Sequence, residues 1–356
     1  MHLLLAAVVA LALPTGATVD AQPARVPLRV SADGTIAATV TLSPYAEPQR
    51  VAVWAPHKAP VIVAPASALD PGELSAQLVL GGFDGAGTLY ATLIKDMELE
   101  AGGNRSIPGL YPESRFLPLA LEPCAAITAP DFLPHIEQVE NDVIYLTYDS
   151  PDSMEVLDGD MTSDLAPYAV RLEDRSCTLL GRASLRGVAG EYASGFRGYF
   201  GAFNAPTDLR NDRQRYVAVR MHGGTVTELG SGVALAISEN GVAVGADAPP
   251  DIREASCCTP HAMLWRLDGT SVALAPNARS SVAYAVDDAG TALGTLVDAN
   301  GKRFAFSWQH GRLRVLDDAL HAPGWHFDAA FAFGPGGEIV GIGTHDGKAA
   351  LFVARP

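Results

Sequence analysis

Residues Val233–Val315 state one unit twice, and an internal repeat restricts a fold more tightly than composition can. The first copy opens VALAISENGVAVGAD and continues, after a loop, as HAMLWRLDGTSVALA, ending at Ala275. The second opens VAYAVDDAGTALGTLVD at Val282 and continues as RFAFSWQHGRLRV. Each copy holds four short apolar runs whose side chains alternate with period two, the pattern of half-buried strands. Tight turns at Asn240-Gly241 and Ala289-Gly290 join the first two runs, and Asp268-Gly269 and His310-Gly311 join the last two. Such turns need positive φ and match the twist of flanking strands, so each pair of runs reads as a β-hairpin. Four antiparallel strands per unit, with the unit itself recurring, predict propeller blades.

The same hairpin recurs along the chain. Gly34, Gly87, Asn141, Gly190, Gly241, Gly290 and Gly337 mark its first turn, spaced 47 to 54 residues apart. The third strand recurs as VAVW ending at Trp54, YAVR at Arg171, VAVR at Arg220, AMLW at Trp265, AFSW at Trp308 and ALFV at Val353. In the second unit, Phe116–Leu121 is the expected equivalent. The expectation is an all-β β-propeller of seven four-stranded blades forming one domain over residues 22–356, since a lone blade cannot bury its faces. Gly245, Gly294 and Gly341 are expected where strands crowd too closely for a side chain. Trp265 and Trp308 are expected to fill the space between neighbouring blades.

The pattern A-x-A-I-S-E-N-G-V-A-V-G followed by H-A-M-L-W-x-x-D-G resembles the HAF repeats of bacterial extracellular proteins. The likeness is good over residues 233–356 and fair over 28–63. It implies a secreted β-propeller-like protein, and the family carries no agreed activity to transfer.

Formal net charge is −15 and the pI is near 4.9. An acidic surface repels phosphate backbones, which argues against a nucleic-acid partner. Leu3–Leu13 is an unbroken apolar run followed by small residues up to Ala21. It is too short to span a bilayer and reads as an export leader covering residues 1–21, cut after Ala17 or Ala21. The expected product is a secreted or periplasmic monomer with no membrane span. Removing the leader leaves too few residues ahead of blade one for another strand. The last unit ends after its third strand, so the last blade is expected to be three-stranded.

Four segments depart from the repeat: Lys95–Arg115, Ser150–Pro167, Gly201–Arg215 and Ala248–Pro260. Read as strand 2–3 loops of blades two to five, they fall on one face of the ring. Loops lengthened together on a rigid scaffold are where binding commonly resides. Arg105, Tyr111, Arg210, Arg253 and His261 are the expected contacts for a glycan, peptide or protein ligand. Asp158, Asp160, Thr162 and Asp164 offer oxygens at alternate positions, the spacing of a calcium loop, although the downstream glutamate of an EF-hand is missing. No other cofactor is expected.

Cys124, Cys177, Cys257 and Cys258 allow three complete pairings in an oxidising compartment. The chain lacks G-x-S-x-G, H-E-x-x-H and G-x-x-x-x-G-K signatures. A non-catalytic binding or scaffold propeller is therefore the first expectation. The alternative is a hydrolase or lyase at the mouth of the central channel, for which Asp317, Asp318, His321 and His326 are candidates.

Overall fold

A computed structural model describes residues 8–14, 17–19, 26–41, 50–63, 73–97, 105–111, 116–128, 132–149, 167–199, 215–248 and 259–355. Blade one comprises Leu28–Val30, Ile36–Thr41, Arg50–Trp54 and Val61–Val63. Blade two comprises Glu73–Phe83, Leu89–Met97, Arg105–Tyr111 and Leu117–Pro118. Blade three holds Leu133–Glu140, Val143–Asp149, Tyr168–Glu173 and Ser176–Arg182; blade four holds Ser184–Ala189, Tyr192–Tyr199, Arg215–His222 and Thr225–Ser231. Blade five is Val233–Ile237, Ala243–Ala246, Ala262–Trp265 and Ser271–Ala273. Blade six is Ser280–Val286, Ala292–Val297, Arg303–Gln309 and Arg312–Val315. Blade seven takes Trp325–Phe333, Ile339–His345 and Lys348–Ala354, with Val8–Ala12 as its fourth strand. All pairings are antiparallel, and the ring has the seven blades that the repeat predicts.

All seven predicted first-turn residues adopt positive φ, from 49° at Asn141 to 85° at Gly34. This is the left-handed region that glycine enters freely and asparagine tolerates. In blades two to seven the register with the second strand shifts near the first turn, leaving Gly81, Glu137, Arg186, Leu235, Tyr284 or Phe331 unpaired, and blades two and seven have a second shift at Leu74 and Asp328. Such a bulge bends its strand and re-aims a side chain. Gly245, Gly294 and Gly341 face the bulges, and a Cβ on any of them would overlap the carbonyl oxygen of Val233, Val282 or Ala329. The crowding expected of these glycines is therefore real, and its cause is the bulged neighbour.

The residue two places before that glycine position pairs with one third-strand side chain, giving Tyr111, Leu172, Met221, Trp265, Trp308 and Ala354 in blades two to seven. Trp54 holds the corresponding place in blade one, opposite Ile36. All seven are buried. Trp265 and Trp308 fill the spaces between blades as expected, in apolar clusters shared with the preceding blade's strands. Blades three and four thus present Leu172 and Met221 to these seams, one place along from Arg171 and Arg220. Their first turns have only two residues between paired strand ends, which displaces the alignment made by counting from the turn.

Two expectations are corrected. The third strand of blade two is Arg105–Tyr111, and Leu117–Pro118 is its fourth. Pro108 and Gly109 interrupt the apolar alternation of RSIPGLY, so the strand is masked in the sequence. The last blade is four-stranded: Val8–Ala12 pairs with Ala354 through Ala350 in continuous register. The apolar run read as a leader supplies this edge strand through Val8–Ala12. Beyond it, Ala17 is buried, and Thr18–Val19 pairs with Thr41 and Val40 of blade one. This one segment bridges the last and first blades.

Candidate functional site

Two concavities of the described residues lie on the side of the ring that carries the strand 1–2 turns. The first follows the axis. It encloses about 240 Å³ and is lined by innermost strands of blades one and three to seven. One half of its wall is apolar, with Leu235, Tyr284 and Phe331 at bulge positions and Leu28 beside them, all buried. Tyr284 and Phe331 meet edge to face with ring centroids 4.9 Å apart. Burial pushes the Tyr284 hydroxyl up to about 12, so it stays a neutral donor.

The other half is charged. Arg186 Nη1 donates to Glu137 Oε1 at 3.0 Å, and both side chains are less than a tenth exposed. The same nitrogen donates to Leu185 O at 2.6 Å. Arg29 Nη2 donates to Glu137 O at 2.9 Å and Nη1 to Leu28 O at 3.3 Å. Arg186 lies over the Phe196 ring, 4.8 Å from its centroid. Gln138 clasps Val188, donating through Nε2 at 2.8 Å and accepting through Oε1 at 3.0 Å. These residues escaped sequence reasoning, although a signal existed: the side chain four to six places before each turn residue reaches the axis, and only blades one, three and four put charge there.

The second concavity, of about 600 Å³, opens between blades three and four. Met221, Ala193, Val188 and Leu180 give it an apolar lining, and Tyr145, Arg171, Glu191 and the backbone at Gly223-Gly224 border it. Its origin is the seam position itself. Trp54, Trp265 and Trp308 fill three other seams, whereas Met221 leaves this one open. Arg171 is held by Glu173 at 2.6 Å, and Glu191 is almost fully exposed.

Of the predicted contacts, Arg210 and Arg253 lie outside the described residues, as do Asp158, Asp160, Thr162 and Asp164 and most of the predicted loops Ser150–Pro167, Gly201–Arg215 and Ala248–Pro260, whereas Lys95–Arg115 contains the strand Arg105–Tyr111. Arg105 opens the third strand of blade two, paired with Lys95. Tyr111 is buried in the seam against blade one, 5.1 Å from Phe116 between ring centroids. That corrects its expected place on a loop, because it holds the seam position that Trp54 holds in blade one. Burial pushes its hydroxyl up to about 12. His261 stands where the fifth blade's long loop rejoins the sheet; its amide donates to Asp247 Oδ1 at 2.7 Å, and its carbonyl accepts from Asp247 N at 3.0 Å.

The candidate acids and histidines before the last blade separate into two pairs. His326 Nδ1 lies 2.7 Å from Asp317 Oδ2 and Nε2 lies 3.4 Å from Asp328 Oδ1, while Phe327 N donates to Asp317 Oδ1 at 2.9 Å. Burial, partly offset by His326, holds the Asp328 carboxyl above its usual range. Asp318 and His321 are exposed, and His321 is the left-handed residue ending the short helix Leu316–Leu320. With both Asp317 oxygens engaged, this group joins the helix to blade seven. Cys124 and Cys177 form a disulfide, which selects one link among those the sequence allowed; Cys257 and Cys258 lie outside the described residues.

No family profile matches the chain. No curated protein matches it either. Among solved structures, it is similar to the β-propeller domain of the Trilobed protease from Pyrococcus furiosus, with TM-score 0.52 and 8% identity over 92% of this chain and 93% of that one. It is also similar to a prolyl endopeptidase (0.49, 9% identity, 91% of this chain and 49% of that one) and a Mycobacterium tuberculosis puromycin-hydrolyzing peptidase (0.42, 11%, 94% and 60%). Identities this low establish the shared fold alone. The Pyrococcus propeller has an open velcro topology, whereas here Val8–Ala12 closes the last blade; this chain is a closed seven-bladed β-propeller.

Proposed function

We propose that the protein is an exported, non-catalytic binding propeller that captures a basic polypeptide segment by seating a bulky apolar side chain between blades three and four. The observation that carries this reading is the seam left open at Met221. An apolar lining bordered by charged groups suits one anchoring side chain, and methionine adapts to differently shaped guests. A net charge of −15, with the exposed Glu191 at the opening, favours a cationic partner. Export is supported by the Cys124–Cys177 disulfide, a bond that persists in oxidising compartments.

The test is Met221→Trp, which installs at this seam the side chain already present at three others. Lys/Arg-rich peptides with a central Trp or Leu should bind the native protein, with affinity falling at least about tenfold in the variant while its melting temperature holds or rises. Equal peptide binding by a folded variant would refute the reading. So would capture of neutral glycans in place of peptides.

A further inference from the structure

We propose that the mouth of the axial cavity is a second, independent site, for a small organic ammonium ion carrying an aromatic group. It does not rest on the seam between blades three and four, because the two cavities meet only along Val188.

The cavity opens where the innermost strands end. Ile237, Val286 and Phe333 line it, and each is the last residue of its strand. The strand 1–2 turns therefore crown the opening. These seven turns, residues 31–35, 84–88, 140–142, 190–191, 238–242, 287–291 and 334–338, hold nine carboxylates and neither lysine nor arginine. The chain has 25 lysines and arginines, so their absence from all seven turns is not scarcity. A mouth lined by one sign of charge over low-dielectric walls focuses its field on an incoming ion.

Three of the nine sit over blades five and six. Glu239 and Asp288 are exposed, and Asp287 is half-buried beside them. Among the described residues, none of the three pairs with a lysine or arginine. The two turns are locked together: Glu239 N donates to Asp288 Oδ1 at 2.8 Å, and Asn240 Nδ2 donates to Asp288 O at 2.9 Å. Carboxylates on a fixed frame lose little entropy when a cation arrives. Their field extends to blade three, where Glu140, held above its usual range mainly by burial, is raised further by repulsion from Glu239.

Below these turns the wall sets the rest of the ligand. Leu235, Tyr284 and Phe331 present apolar surface in blades five to seven, whereas Arg29 and Arg186 stand on the other half of the wall, in blades one and four. Tyr284 adds a polar handle. It is 4% exposed, and its hydroxyl, kept neutral by burial, makes no hydrogen bond among the described residues. An unpaired hydroxyl on a cavity wall fits a polar atom of a ligand. A cavity of roughly 150 Å³ accommodates benzene, so 240 Å³ leaves room for one substituted ring. The ring would lie against Tyr284 and Phe331, with the ammonium group above it at Glu239 and Asp288.

Phenethylamine and tyramine serve as probes at neutral pH, followed by calorimetry on the full chain. The neutral counterpart is 2-phenylethanol, the anionic one phenylacetate, and ethylamine is the cation without a ring. Phenethylamine should bind at least about tenfold more tightly than 2-phenylethanol or ethylamine, and tyramine, whose phenol can meet the Tyr284 hydroxyl, more tightly again. Glu239→Gln with Asp288→Asn keeps an oxygen to accept from the residue 239 amide and should remove most of the preference for the amine. Tyr284→Phe should cancel the tyramine advantage. Equal binding of 2-phenylethanol, phenylacetate binding as tightly as the amines, undiminished binding by the folded double variant, or no amine binding would each overturn the proposal. So would loss of amine binding in Met221→Trp, which would place the amine in the seam. Ethylamine binding as tightly as phenethylamine would overturn the role given to the aromatic wall, and a tyramine advantage that survives Tyr284→Phe would overturn the role given to that hydroxyl.

Discussion

The indole Nε1 of Trp54 donates to the carbonyl of Ala12 at 3.0 Å, joining the third strand of blade one to the outermost strand of blade seven. A ring must protect its final edge, and here the chain's own amino-terminal strand covers it. Leu11 and Leu13 pack on the central apolar cluster, and Val8 packs on the cluster between blades six and seven.

Deleting residues 1–13 should therefore destabilise the ring by about 3 to 5 kcal/mol, the range for losing a packed strand and orphaning a buried donor. Trp54→Phe, which removes only the donor and part of the ring, should lose about 1 to 2 kcal/mol. Denaturant melts of both variants provide the check. An unchanged midpoint for the deletion would show that the strand is dispensable. The same run also has the composition of an export leader, and one segment cannot be discarded and close the ring. The amino-terminal mass of the protein isolated from its native cells reveals which use prevails.

Gly245→Ala should lose about 2 to 4 kcal/mol, because the new methyl group overlaps the Val233 carbonyl oxygen and backbone must move. Gly290→Ala meets no neighbouring atom and pays only for positive φ, about 1 kcal/mol. Thermal melts should separate the two by several degrees; equal losses would mean that the bulge yields easily.

How much of this was legible in the sequence depends on whether a feature is periodic. Blade number, first turns and crowded glycines all recur, and each was placed correctly. The strand Arg105–Tyr111 was missed because Pro108-Gly109 breaks its alternation, and the closing strand because its apolar run has a second, more familiar meaning. The axial charges were invisible for another reason. Arg29, Glu137 and Arg186 are separated by 108 and 49 residues, and only ring closure and the bulges bring them together. No local pattern encodes that meeting. The open seam was nearly legible as an absence of tryptophan, but the two-residue turn of blade four shifted the alignment from Met221 to Arg220.

The disulfide ties the short 3-10 turn Glu122–Cys124, between blades two and three, to the outermost strand of blade three across 53 residues. Restricting the unfolded chain by a loop of this length stabilises by about 2 to 4 kcal/mol. Reduction, or Cys124→Ser with Cys177→Ser, should lower the unfolding free energy by that amount and leave strand content unchanged by circular dichroism. A midpoint insensitive to reductant would mean that Tyr148 and Ile136, packed with Cys124 in one apolar cluster, already fix this corner.

Glu140 carries the clearest pH signature. Burial holds its carboxyl above the ordinary range, Glu239 adds repulsion, and only the Gly190 amide opposes them. Its Oε2 is buried without a hydrogen-bond partner. A group whose pKa rises on folding binds its proton more tightly in the native state, so native stability falls as pH climbs from the unfolded value through the folded one. Below the unfolded value of 4.5 the carboxyl is protonated in both states, and the full relative benefit of the neutral form is present. Glu140→Gln should therefore raise stability at pH 7 by on the order of 1 kcal/mol, with the gain shrinking towards zero as pH falls below 4.5. Asp33 has the opposite sign: Ser31 and Thr35 hold its carboxyl low, so its contribution persists at neutral pH and is lost as pH falls through the depressed folded value. Melting Glu140→Gln and Asp33→Asn in parallel from pH 3 to 8 separates the two. The Gln variant should gain on the native protein with rising pH, and the Asn variant should fall behind it. Parallel curves for Glu140→Gln and the native protein across that range would show that the Glu140 carboxyl is solvated after all.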